Sequence, residues 1–140
     1  MFYHSRQFFL FLCGISILSC CLTITGCEKK DTPKKTNSLD FTVVSGSDIP
    51  EELQSLIEER QKNAFELTFS DNSCLYVIKG YGQQSSGGYS IKINDFYQSD
   101  DCLVFDTELF GPKKDDVSDA ISYPYIVIKT EYRENPVVFR

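Results

Sequence analysis

Histidine is almost missing from this 140-residue chain, and tryptophan is missing altogether. The single histidine, His4, lies in the apolar N-terminal segment, so nothing beyond it carries an imidazole. That excludes Ser-His-Asp and Cys-His catalysis and His-ligated zinc or iron from the rest of the chain. Cysteine is scarce where it would matter. Past Cys27 only Cys74 and Cys102 occur, with no CxxC spacing, which is too few for a thiolate zinc site. Gly80-Tyr81-Gly82 is no dinucleotide loop, because Ser85 stands where the third glycine belongs. Asp100-Asp101 and Asp115-Asp116 fall in turn and loop sequence without EF-hand spacing, so they read as solvated charge. The expectation is a protein with no catalytic residues, no metal and no cofactor.

Basic charge is short as well. After Cys27, 13 basic residues face 20 acidic ones, a formal charge of −7. A nucleic-acid partner requires a basic surface that displaces counterions, and this balance opposes one. It equally opposes electrostatic adhesion to anionic lipid, so any membrane affinity must come from a lipid or an apolar segment.

Such a segment opens the chain. Residues 1–26 contain Arg6, no acidic residue, and an almost unbroken apolar run from Phe8 to Ile24. This is the layout of an export signal. A run of that length also permits an uncleaved membrane helix, and its end separates the two. There the chain reads Ile24-Thr25-Gly26-Cys27, an aliphatic residue, two small ones and a cysteine, which resembles the lipobox of bacterial lipoproteins. The expectation is cleavage after Gly26, alkylation of the Cys27 sulfur by a lipid donor, and an extracytoplasmic protein held at the cell envelope by lipid. Residues 27–39, polar apart from the anchor and Leu39, read as a flexible linker.

Residues 40–140 read as one small domain. Phe41–Val44 is a strand candidate. Ser47-Asp48-Ile49-Pro50-Glu51-Glu52 has the composition of a helix start, followed by the apolar stripe Ile49, Leu53, Leu56 and Ile57. One apolar face predicts a helix packed on a sheet. The remainder alternates as strand. Phe65, Leu67 and Phe69 precede a turn at Asp71-Asn72-Ser73, and Cys74–Tyr81 is apolar on both faces. A polar loop, Gln83–Gly88, leads to Tyr89, Ile91 and Ile93, where the phase slips at Asp95 and predicts a bulge. Cys102–Phe110, Ser122–Thr130 and Pro136–Phe139 complete the set. The fold expected is mainly antiparallel β, a small sandwich or partly open barrel with one helix. If the strands from Cys74, Tyr89 and Cys102 form a meander, the first and third start about 9–10 Å apart. Cys74 and Cys102 are then too distant for a disulfide.

Gly80-Tyr81-Gly82, Gly87-Gly88-Tyr89-Ser90-Ile91, Gly111-Pro112 and Ser122-Tyr123-Pro124-Tyr125-Ile126-Val127-Ile128-Lys129 resemble the PrcB-like family, over essentially all of the chain after the linker. The family is named after a lipoprotein subunit of a protease complex. It usually shows Pro-Thr before Gly-Gly-Tyr, where this chain has Ser85-Ser86, so a less rigid loop is expected. The resemblance implies a non-catalytic accessory protein that associates with a protease. The candidate contact residues are Gly87, Gly88, Tyr89, Tyr123, Pro124 and Tyr125. The glycines either supply positive φ at a hairpin or present backbone to a partner, and the tyrosines either edge the core or offer flat aromatic surface. If the last long strand pairs beside the strand from Tyr89, these residues form one rim. Two other functions fit the same pattern. Ser86–Tyr89 resembles the inhibitory loop of small β proteins that block cysteine peptidases, and exposed tyrosines also suit a cell-wall carbohydrate.

Overall fold

The computed structural model describes residues 33–140. Residues 1–26, read from the sequence as an export signal, and Cys27 lie outside them. Strands β1 (Asn37–Ser38), β2 (Thr42–Val44), β3 (Ala64–Asp71), β4 (Cys74–Tyr81), β5 (Ser90–Gln98), β6 (Leu103–Phe110), β7 (Tyr125–Glu131) and β8 (Val137–Phe139) form two four-stranded sheets. The first has the order β1-β5-β6-β8 and the second β2-β7-β4-β3. All pairings are antiparallel except β6 with β8. The sheets remain separate, so the sandwich is the form realised rather than the barrel.

Strand alternation builds the core between them. Leu75 and Val77 of β4 and Ile128 of β7 meet Phe96 of β5 and Leu103 and Phe105 of β6 in one apolar cluster. The opposite face of the second sheet carries Tyr76, Ile78 and Val127, which share a second cluster with Leu53 and Ile57 of helix α1 (Glu51–Arg60). The two-sided apolar pattern of β4 follows from this. One set of its side chains faces the other sheet, and the alternate set faces the helix cluster. Helix α1 begins later than its capping sequence suggests. Gly46–Asp48 forms a single 3₁₀ turn, and Pro50 occupies the cap position without a side-chain hydrogen bond.

The β3–β4 hairpin closes through Asn72 and Ser73, both at positive φ (45° and 67°), with Asp71 opposite Cys74. Two left-handed residues give the turn the twist that matches paired strands. The bulge falls where the phase slips, between Ile93 and Asp95.

Two expectations are corrected. Strands β4, β5 and β6 are not a meander, because β4 lies in one sheet and β5 and β6 in the other. Cys74 belongs to the cluster on the helix side of its sheet, whereas Cys102 precedes β6 in the other sheet, and both thiols are free. The linker is also shorter than its polarity suggests. From Pro33 the chain is docked on the first sheet. Thr36 N–H donates to the Gln98 carbonyl (2.8 Å), and the Tyr97 hydroxyl donates to the Pro33 carbonyl (3.0 Å). Lys35 pairs with Asp95 (2.8 Å), β1 pairs with β5, and Leu39 is only 7 % exposed in the inter-sheet core. Burying Leu39 favours the ordering of the polar residues before it.

Candidate functional site

Three of the six expected rim residues border one groove, though not by strand pairing. Tyr89 leads into β5 of the first sheet, and Tyr125 begins β7 of the second. Both border one groove of about 400 Å³ at the flank of the sandwich, together with Pro124, Ile91, Ile126, Val127, Val43, Val44 and Ser45. No charged side chain lines it. Tyr125 is 38 % exposed and Val43 54 %, so the groove continues onto apolar surface.

The groove has this shape because β2 stops early. It pairs with β7 only from Thr42 opposite Lys129 to Val44 opposite Val127, and then turns away into the 3₁₀ turn. Among the described residues Tyr125 and Ile126 therefore have β4 on one side and no strand on the other. The Tyr81 amide donates to the Pro124 carbonyl (3.0 Å), which directs the backbone of residue 124 towards β4. By strand alternation the N–H and C=O of Tyr125 point the other way, to the side that β2 has left.

Of the six expected contact residues, Tyr89, Pro124 and Tyr125 line the groove, while Gly87, Gly88 and Tyr123 do not. The glycines belong to the crossing from β4 to β5 rather than to a hairpin. Gly88 has φ 84° and uses the conformational freedom of glycine. Gly87 allows close packing instead. Its N–H donates to the Ser118 hydroxyl (3.1 Å), and a Cβ there would run into that hydroxyl. The crossing is further held by the Ser122 hydroxyl, which donates to the Ser86 carbonyl (2.6 Å), and by two backbone bonds between Gln84 and Ser122. Pro124 sits immediately before β7, the position expected of a residue that cannot donate to a ladder. Sequence reading missed Val43 and Ile91. The signal available was the short Thr-Val-Val strand with no charge or proline to guard its edge.

A second, more open recess of about 310 Å³ is lined by Asp40, Phe41, Thr42, Cys74, Lys129, Thr130 and Glu131. The neighbouring Cys74 and Tyr76 side chains hold the Lys129 pKa above its ordinary value, and the ammonium lies 5.7 Å from the centre of the Tyr76 ring. Among the described residues no group of three or more His, Cys, Asp or Glu converges as metal ligands. No helix among them is long and apolar enough to cross a membrane.

Fold and groove together define a small two-sheet β domain with an apolar recess at one rim and no convergent polar centre there. More particularly, residues 75–131 match the family model described as PrcB C-terminal, and the PrcB-like resemblance holds for that segment. The match is narrower than the resemblance read from the sequence. It runs from β4 through β7, which supply most of the inter-sheet core and all groove residues except those of the Val43–Ser45 stretch. It leaves out α1 and β3, which contribute to the outer cluster. No curated protein and no solved structure matches the chain.

Proposed function

We propose that this chain is a lipid-anchored, non-catalytic subunit that associates with an extracytoplasmic protease and contacts it through the Tyr89–Pro124–Tyr125 groove. One observation carries the reading. Three residues singled out for a family resemblance line a single apolar groove, although they belong to different sheets, and all lie within the PrcB C-terminal segment. A recess bordered by tyrosine and proline suits a protein contact, because aromatic anchors that fill desolvated pockets dominate binding energy.

The anchor is Cys27, whose thiolate is alkylated by a lipid donor, and the chain is cut after Gly26. Six residues then precede the docked Pro33, a leash of at most roughly 20 Å. The docked chain joins the sandwich beside Gln98, at the opposite end of β5 from Tyr89. Eight strand steps separate these ends, roughly 26 Å, so the groove lies at the end of β5 remote from the Gln98 end where Pro33 docks.

The test is recovery of the native partner from membranes by wild type and by Tyr89→Ala, Tyr123→Ala and Tyr125→Ala, each with its melting temperature. A protease captured by wild type and lost from Tyr89→Ala and Tyr125→Ala with little change in melting supports the proposal. Equal recovery by all three folded variants sinks it.

A further inference from the structure

The groove has directional backbone groups as well as apolar walls. Tyr125 offers one N–H and one C=O to the side of β7 that no described strand covers, beside the recess lined by Tyr89 and Ile91. Sheet edges of this kind are completed by added strands, with main-chain bonds for affinity and side-chain pockets for selection. The second sheet's other outer strand, β3, differs. It alternates Phe65, Leu67 and Phe69 with Glu66, Thr68 and Ser70, and Glu66 lies 3.7 Å from Lys79. The Thr42-Val43-Val44 strand has no such charge.

We infer that the groove binds an extended peptide segment of a partner, which adds as a short strand against Tyr125 where β2 ends and places an apolar side chain over Tyr89 and Ile91. This rests on the protein-contact reading above and specifies its chemistry. An alternating segment suits the site, since every second side chain faces the recess. The charge of its flanks is set by what borders the groove. On the Val43–Ser45 side the chain leaving Ser45 carries Asp48, Glu51 and Glu52 and no cation before Arg60, whereas on the Tyr89 side Lys113 and Lys114 follow Gly111, which packs beside Tyr89. The partner segment therefore carries lysine or arginine where it passes the Ser45 side, and its association weakens with salt.

The experiment titrates the full-length chain with a fluorescent probe peptide that alternates valine and threonine between lysines. A second probe carries N-methyl groups on alternate amides of the face meant for β7, and a third replaces the lysines by glutamates. The expected result is saturable binding of the first probe and about tenfold weaker binding of the methylated one, because a strand bond is lost while the side chains remain. The glutamate probe binds at least as weakly at low salt, and the Tyr125 and Ile91 amides shift with the first probe only. Equal binding of methylated and unmethylated probes, or no binding of the first probe up to about 1 mM, overturns strand addition. Either result would leave the partner-recovery experiment with the tyrosine variants standing on its own.

Discussion

Replacing Tyr81 by phenylalanine removes one oxygen and keeps the ring, which isolates a polar strut between the sheets. The Tyr81 hydroxyl, at the end of β4, lies 2.8 Å from Thr107 Oγ1 on β6. Thr107 is only 7 % exposed, so water cannot readily replace the lost partner. A neutral hydrogen bond contributes about 0.5–1.5 kcal/mol net, and an abandoned buried hydroxyl costs about 1–3 kcal/mol. Tyr81→Phe should therefore cost about 1.5 kcal/mol. For a domain of this size that is a fall of about 6 °C in Tm. Thr107→Val should cost less, about 1 kcal/mol, because Tyr81 is half-buried and its hydroxyl can still reach water. Combining both substitutions removes donor and acceptor together, so the double variant should lose about 1 kcal/mol less than the sum of the singles. Urea or thermal unfolding of the four proteins provides the cycle. The backbone bonds from Tyr81 N–H to Pro124 and from the Gln84 side chain to the Tyr81 carbonyl survive all three changes. Partner recovery should then stay within about threefold while stability falls. Purely additive losses, or single variants within 0.3 kcal/mol of wild type by the ordinary error of such measurements, would refute the strut.

Gly82 has φ 72°, and a Cβ there would meet the Ala64 backbone nitrogen at 2.8 Å, so Gly82→Ala should destabilise by about 2 kcal/mol or more in the same unfolding assay. Ser73→Gly should act in the opposite direction, by about 0.5–1 kcal/mol, because it relieves a left-handed serine at φ 67° in the β3–β4 turn. Alkylation without reductant, followed by mass mapping, should label both Cys74 and Cys102; protection of both until reduction would contradict the placement of the two thiols. Labelled fatty acid should enter the wild-type chain and not Cys27→Ala, and a membrane-bound product still beginning near residue 1 would count against cleavage after Gly26.

Local features were legible in the sequence because they follow from local chemistry. Asn72-Ser73 between alternating strands announced its turn, and the slip at Asp95 announced the bulge that follows Ile93. The partition into two sheets was not legible, since alternation tells which face a residue shares but not which strand lies beside it. The apolar residues on both sides of β4 were the one hint of layers on either face. The docking of residues 33–39 was hidden for a similar reason. Lys35 meets Asp95 and Thr36 meets Asp100 across some sixty residues of chain, so a polar stretch reads as linker until its distant partners are known. The groove was half legible. Tyrosine and proline at strand starts stood out, whereas Val43 and Ile91 entered only through the early end of β2.

The docked segment also has a mechanical meaning. Force applied at Pro33 first loads the Tyr97–Pro33 bond, the Lys35–Asp95 ion pair and the Thr36–Asp100 bond, then the two-residue strand β1. Each is weak alone and yields in turn, so the early contacts act as a sacrificial fuse. Leu39, set between the sheets, is the knot that stops the unravelling. Beyond it the load passes into the core and along β5 towards Tyr89, so a pull between Pro33 and the groove runs along β5. Leu39→Ala should remove the knot while leaving the groove intact, and single-molecule pulling from the N-terminus should then show the fuse extending further before the sandwich resists.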